Sequence, residues 1–315
     1  VPFSKTGGLA DVAGALPRAL KRQGCDVRVV LPFYRPTRET GIPFEPCLEN
    51  LPVEVAGEAL PATVLRAPME GGVPCYFVQR DDLYDRSHLY GTPEGDYPDN
   101  ALRFVYFCKA AFSLCEALSY SPDVLHCHDW QTALIPAYLR HVYGPSALFR
   151  KTRSLLTLHN IAYQGVFPPG EFPRTGLPDT FLSVGGIEFW GKMNFLKAGL
   201  LTAHVLNTVS PSYSREILTE EMGYGLEGVL AGREQDLYGV LNGADYDEWD
   251  AERDPHLPWQ YGPDSLAGKQ ACKAALLEEM GSGAEQGRAP LIGMISRLTS
   301  QKGVDLLLEG LAEMM

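Results

Sequence analysis

From Asp123 onward the chain alternates short apolar runs with helix-length segments, and this limits the folds open to it more than any other feature. The pattern predicts strands at 123–127, 154–158, 205–209 and 237–241, with helices at about 132–143, 192–203 and 212–218 between them. Runs that are apolar throughout belong to strands buried on both faces, and strands separated by helices pair in parallel because each crossover returns the chain to the same starting edge. The expected fold class is therefore α/β, with a doubly wound, Rossmann-like parallel sheet. Right-handed crossovers align the C-terminal strand ends along one edge, where ligands of such sheets bind. Three segments close a predicted strand there: His126-Cys127-His128-Asp129-Trp130, Leu158-His159-Asn160 and Val240-Leu241-Asn242-Gly243.

The stretch before this alternation opens on Ser4-Lys5-Thr6-Gly7-Gly8-Leu9-Ala10-Asp11-Val12, two glycines feeding a helical apolar pattern at Leu9, Val12, Ala13, Leu16 and Leu20. A helix that starts this way turns unpaired backbone N–H groups and the positive end of its dipole outward, which attracts anions. Lys5 adds a full charge, and Gly8 lets a phosphate approach the main chain. The competing reading is a loop that needs positive φ at a glycine, with a solvated lysine beside it. No strand precedes this loop, so a first strand is expected to be missing from the βαβ unit. The helix is expected to bend at Pro17 and to close near Gly24. Asp26–Leu31 reads as a buried parallel strand, and the alternating runs 51–55, 62–66 and 73–78 as a β-hairpin insertion. A polar loop from Asp81 to Asn100 leads into a helix over Ala101–Leu118, with Cys108 and Cys115 on one face as core residues.

Residues 244–263 lack periodicity and read as an interdomain linker. Beyond them the pattern predicts a helix over Ser265–Met280, a strand over Leu291–Ile295 and a last helix opening near Gly303. One strand and one or two helices cannot cover a parallel sheet on both faces, so 1–243 reads as an N-terminal domain and 264–315 as only the beginning of a second Rossmann-like domain.

Composition excludes some functions. With 315 residues, a net charge of −12 and 21% charged residues, the chain fits a globular protein with no general attraction to nucleic acid or anionic membrane. An anionic ligand must then be held by local positive groups. The seven cysteines form no C-x-x-C pair and are odd in number, which argues against a disulfide framework or a zinc ribbon.

At the strand-end motifs, a period of two puts His126 and His128 on one face, as a metal site would need, but no compelling third ligand lies near in sequence. Asp129 suits either a helix N-cap or a ligand-facing carboxylate. His159 suits either a structural role or a hydrogen bond to a sugar, with Asn160 turning the chain.

SKTGGLADVAGALP, HCHDW, TLHNIAYQG, FLKAG, VLNG and SRLTSQKG occur in this order. Together they resemble the signature blocks of bacterial glycogen synthases and plant starch synthases. That resemblance implies a GT-B fold and retaining transfer of glucose from an ADP-glucose donor to the non-reducing end of an α-1,4-glucan acceptor. It implies no metal and no cofactor. It assigns Lys5, Gly8, Arg297 and Lys302 to the nucleotide phosphates, Tyr90 to the base, and Asn242 to the donor. Asp11, Asp129, His159 and Asn160 fall in the cleft, with Asp129, His159 and Asp11 carried over as catalytic. The family's acidic E-x-x-x-G-L segment would lie beyond Met315 and its first-strand glutamate before Val1, so a polypeptide of these residues alone is expected not to turn over. A bacterial cytoplasmic setting is expected, with a plastid as the lesser alternative. Two rivals stand beside this reading: a GT-B transferase using UDP-glucose, and a non-catalytic glucan-binding or scaffold protein.

Overall fold

A computed structural model of the chain describes residues 2–282, 289–296, 298 and 302–314. It divides into two units, Val1–Gly243 and Ala244–Met315. The first unit begins with helix α1 (Gly8–Arg22), which runs on through a buried Pro17. Gly24, at φ 88°, ends it as expected: its N–H bonds the Lys21 carbonyl, and the Cys25 N–H bonds that of Leu20. These are the two bonds of a Schellman termination.

Strands β1 (Val29–Pro32), β2 (Glu45–Leu51), β3 (Ala62–Pro68) and β4 (Pro74–Gln79) form one sheet in the order β1-β4-β3-β2. The predicted β-hairpin insertion is antiparallel, and it continues the sheet of β1, because β4 pairs with β1 in parallel. Helix α2 (Asn100–Ala117) is apolar on nearly every face, and its aromatic and aliphatic side chains join the main core. It packs against β1 and β2 and against the short helices Asp129–Thr132 and Leu134–Tyr138.

The second sheet is parallel throughout, in the order β8-β7-β6-β5, with β5 at Val124–His128, β6 at Arg153–Leu158, helix α3 at Phe195–Thr202, β7 at Val205–Thr208 and β8 at Leu237–Gly239. Among the described residues β1 and β5 each stand at an end of their sheet with one edge unpaired.

Three segments depart from the predicted periodicity. The helix expected over 132–143 is broken into Asp129–Thr132 and Leu134–Tyr138 and then widens into a π-helical turn at Leu139–Tyr143. Pro136, which has no N–H to give, lies within the second piece. The helix expected from 192 starts at Phe195, because Lys192–Asn194 pairs instead as a strand with Val166–Phe167 and Glu188–Phe189. The Asn194 side chain then caps α3 by accepting the Lys197 N–H at 2.9 Å. The strand expected at Leu291–Ile295 is not formed. These residues are exposed and irregular, and no described strand of the second unit lies beside them to supply ladder partners.

Helix α3 lies close on the sheet because Gly199 has no side chain. A Cβ there would stand 2.7 Å from the Ala133 carbonyl oxygen and 2.8 Å from Leu156 Cδ2. Gly199→Ala is therefore expected to destabilise the chain by about 1–3 kcal/mol through overpacking, outweighing the ~1 kcal/mol that alanine gains in helix propensity. A urea midpoint at or above that of the parent chain would contradict this packing.

The second unit contains α4 (Ala267–Glu279) and α5 (Val304–Met314) among its described elements. The tract 244–263, expected as a linker, is a series of turns that fold back on α4, with Cys272 Sγ hydrogen-bonded to the Trp259 carbonyl at 3.1 Å. Among the described residues no helix is long and apolar enough to cross a membrane.

Candidate active site at the strand ends

The parallel register of β5, β6 and β7 brings their C-terminal ends to one edge, and the polar residues there form one connected network. Asp129 directly follows β5 with φ 52°, a left-handed conformation that an aspartate tolerates better than most residues. The turn sends its carboxylate across to the end of β6, where Oδ1 accepts the His159 N–H at 2.7 Å and the Asn160 N–H at 3.4 Å. It does not cap the short helix that it opens, whose N-cap residue is His128. Burial lifts the Asp129 carboxyl to about 6, although both backbone donors favour its ionised form.

Three imidazoles line the same edge. Thr157 Oγ1 donates to Asn207 Oδ1 at 2.5 Å, so its oxygen accepts from His126 Nε2 at 2.7 Å, and Nε2 carries the His126 proton. His128 Nδ1 and His159 Nε2 are 3.1 Å apart and share a single proton in their hydrogen bond. Burial pushes His126 and His159 down to about 4. The same cause, with the other two rings adding to it, holds His128 well below the ordinary histidine value. All three are neutral at pH 7. One nitrogen of each ring is taken up in these bonds, and the row works as a hydrogen-bonding surface. Among the described residues, no group of three or more His, Cys, Asp or Glu is placed to hold a metal.

Beyond His159 the chain turns as predicted, with Asn160 Oδ1 accepting the Ala162 N–H at 3.0 Å and Tyr213 Oη accepting the Ile161 N–H at 3.0 Å. Tyr90 packs beside Trp130, and Asp129 is close enough to help burial raise its phenol to about 12. The fold thus brings Tyr90, Asp129, His159 and Asn160 together. Gly165, at φ 64°, closes the rear of this cluster, since a Cβ there would come within 2.4 Å of the Trp130 ring.

Lys5 Nζ and Asp11 Oδ1 are 2.6 Å apart, both half exposed, at the start of α1. Gly7 and Gly8 are exposed, and neither lies in the left-handed region, so the reading of a loop that needs a left-handed glycine is overturned. Asn242 is exposed, three residues past the end of β8. Lys302, in the second unit, is exposed ahead of Gly303 and α5. Arg297 lies outside the described residues.

Four residues that shape the site escaped the sequence reading. Asn207 fixes Thr157, and its signal was a polar side chain inside an apolar strand. Thr157, polar within Leu155–Leu158, carried the same signal, and Tyr213 gave none. Arg103, within the otherwise apolar α2, is fully buried and donates to the carbonyls of Leu83 and Leu89 and to Asn100 Oδ1 at 2.6–2.9 Å. It thereby ties down the loop that presents Tyr90.

The family described as the starch synthase catalytic domain matches residues 1–232. The chain belongs to this family. Glycogen synthase 2 of Geobacter sulfurreducens is 46% identical over 308 residues, 98% of this chain and 63% of the relative. Glycogen synthase of Anaeromyxobacter dehalogenans is 45% identical over 307 residues, again 63% of its length. Among solved structures, the catalytic domain of Starch Synthase IV from Arabidopsis thaliana bound to ADP and acarbose matches with a TM-score of 0.88 and 31% identity, over 99% of this chain and 64% of that one. The chain therefore spans about 63% of the length of the curated relatives it matches, and its architecture is of the GT-B class. The starch synthase match takes in Lys5, Gly8, Asp11, Tyr90, Asp129, His159 and Asn160, and ends before Asn242.

Proposed function

We propose that this chain is the donor- and acceptor-handling part of a glucan synthase. It would transfer glucose from ADP-glucose to the non-reducing end of an α-1,4-glucan, with retention at the anomeric carbon and without a metal or other cofactor. One observation carries the donor assignment. Gly7 (φ 179°) and Gly8 lie outside the left-handed region, and a Cβ added to either would meet nothing within 4 Å. The fold of this chain therefore does not require glycine at these positions. A ligand that must touch the main chain at the start of α1 does.

Departure of a nucleoside diphosphate leaves negative charge on the phosphates and positive charge on the sugar ring. Donors fixed where charge develops contribute most to lowering such a barrier. In this reading the Gly8 N–H and the positive end of α1 receive the diphosphate, and Lys5 leaves its ion pair with Asp11 to join them. Asp129, ionised above pH 6 and held by the turn of β6, faces the positive charge of the sugar. His159 and Asn160 hold its hydroxyls and Tyr90 lies against the base, and the family resemblance adds Asn242, Arg297 and Lys302 as donor-binding residues. The relatives named glycogen synthase and the ADP-bound starch synthase support the donor and acceptor classes.

The test is Gly8→Ala in the full-length polypeptide encoded by the gene. Because the added methyl has room, the thermal midpoint should not fall, while KM for ADP-glucose should rise roughly tenfold or more as a close phosphate contact is lost. An unchanged KM would remove α1 from the donor site. Parallel titrations with ADP-glucose and UDP-glucose decide the base, and tighter binding of UDP-glucose would overturn that part of the reading.

A further inference from the structure

At the opposite edge of the parallel sheet, where β6 and β7 begin, a depression of about 460 Å³ is lined by Arg140, Arg150, Arg153, His204 and Arg233. Among the described residues no acidic side chain lines it, in a chain whose net charge is −12. Strand β6 separates it from the Asp129–His159 network: six residues of strand put the two ends about 17 Å apart.

Arg233 has a structural task. It pairs with Asp236 at 2.8 Å and donates to the carbonyls of Leu200 and Ala203 at 2.5 and 2.7 Å, which neutralises the negative end of α3 at the pocket wall. Arg140, Arg150 and Arg153 are exposed and form no ion pair among the described residues. His204 Nδ1 accepts the Ser154 N–H at 3.1 Å, so its ring proton sits on Nε2 and the ring is a neutral donor. Burial, and then Arg153, Arg140 and Arg233 as positive neighbours, keep it from taking a second proton. The π-helical turn Leu139–Tyr143 carries Arg140 at the rim, and π turns recur at functional sites. Gly144 closes that turn, where a Cβ would stand 2.6 Å from the Leu139 carbonyl oxygen.

Three unpaired guanidinium groups around one concavity repel each other unless an anion joins them. Planar guanidinium forks match the oxygens of a phosphoryl group, and the volume is that of a metabolite-sized ligand. We propose that this pocket binds a phosphoryl group, as free phosphate or as the monoester of a small metabolite, through Arg140, Arg150, Arg153 and His204, at a site separate from the donor site.

The test is calorimetric titration of the full-length polypeptide encoded by the gene with orthophosphate and with ribose 5-phosphate at fixed ionic strength, with ribose as the uncharged control. Both phosphates should bind and ribose should not. A tighter ribose 5-phosphate points to a metabolite as the source, and equal affinities point to free phosphate. The double variant Arg140→Gln/Arg153→Gln, whose surface positions leave the thermal midpoint unchanged, should weaken both by roughly tenfold or more. Asp129→Asn should bind phosphate as the parent chain does. Failure of either phosphate to bind, or an unchanged affinity in the double variant, overturns the proposal.

Discussion

Asp129→Asn is expected to stabilise the chain at pH 7 and, in the full-length polypeptide, to lower kcat for glucosyl transfer by about 10²-fold or more. The two effects have one cause. Burial raises the Asp129 carboxyl from 3.8 to about 6, so holding it ionised at pH 7 costs on the order of 3 kcal/mol. The native state keeps a proton that the unfolded chain releases near pH 4, so this cost grows as pH rises from about 4 to about 6 and is constant above that. Asparagine keeps an acceptor for the His159 and Asn160 N–H groups, tolerates φ 52°, and carries no charge. It removes the cost and, with it, the charge that the proposed chemistry needs. Urea unfolding at pH 7 reads the first effect, and steady-state assays between pH 5 and 8 the second. The parent enzyme should gain activity as pH rises through about 6, and the variant should lack that limb. A variant as active as the parent would show that Asp129 only shapes the turn.

The three partly buried histidines should make the fold acid-labile over a definite range. In the unfolded chain an imidazole takes up a proton as pH falls below about 6.5, whereas His126 and His159 in the native state refuse one until about 4 and His128 until well below its ordinary value. Because the unfolded state binds more protons in this window, stability is full above pH 6.5 and is lost as pH falls towards 4. Asp129 acts in the opposite sense, as one group against three. The net loss between pH 7 and 4.5 is expected to reach several kcal/mol, measured as the change in urea midpoint. His126→Gln, whose amide can still donate to Thr157 Oγ1, should flatten the dependence by about a third. A chain as stable at pH 4.5 as at pH 7 would mean that the rings are not buried neutral.

These expectations rest on contacts that differ in how well the sequence announced them. Strand ends could be read in advance because period and composition are local properties: the runs that close on Asp129 and on His159 leave the sheet there. What Asp129 does at its strand end could not be read. Capping its own helix and bridging to β6 need the same residue type, and only the left-handed backbone at position 129, set by packing across two strands, chooses the bridge. Arg103 illustrates the same limit. Its charge stands out in an apolar helix, but its partners are carbonyls that a neighbouring loop delivers. Leu291–Ile295 shows the reverse case, a run with strand composition that lacks a described neighbour to pair with.

The sequence by itself determined the α/β class, the edge on which ligand chemistry gathers, the glycine-led start of α1 and the family resemblance. These follow from local periodicity, backbone freedom and the order of short blocks. Tertiary structure alone decided that Asp129 is raised towards neutrality, that three imidazoles from two strands share one row, and that Arg233 joins Arg140, Arg150 and Arg153 at the far edge. Burial and proximity are produced by strands brought side by side from 30 to 50 residues apart, and no window of sequence contains them.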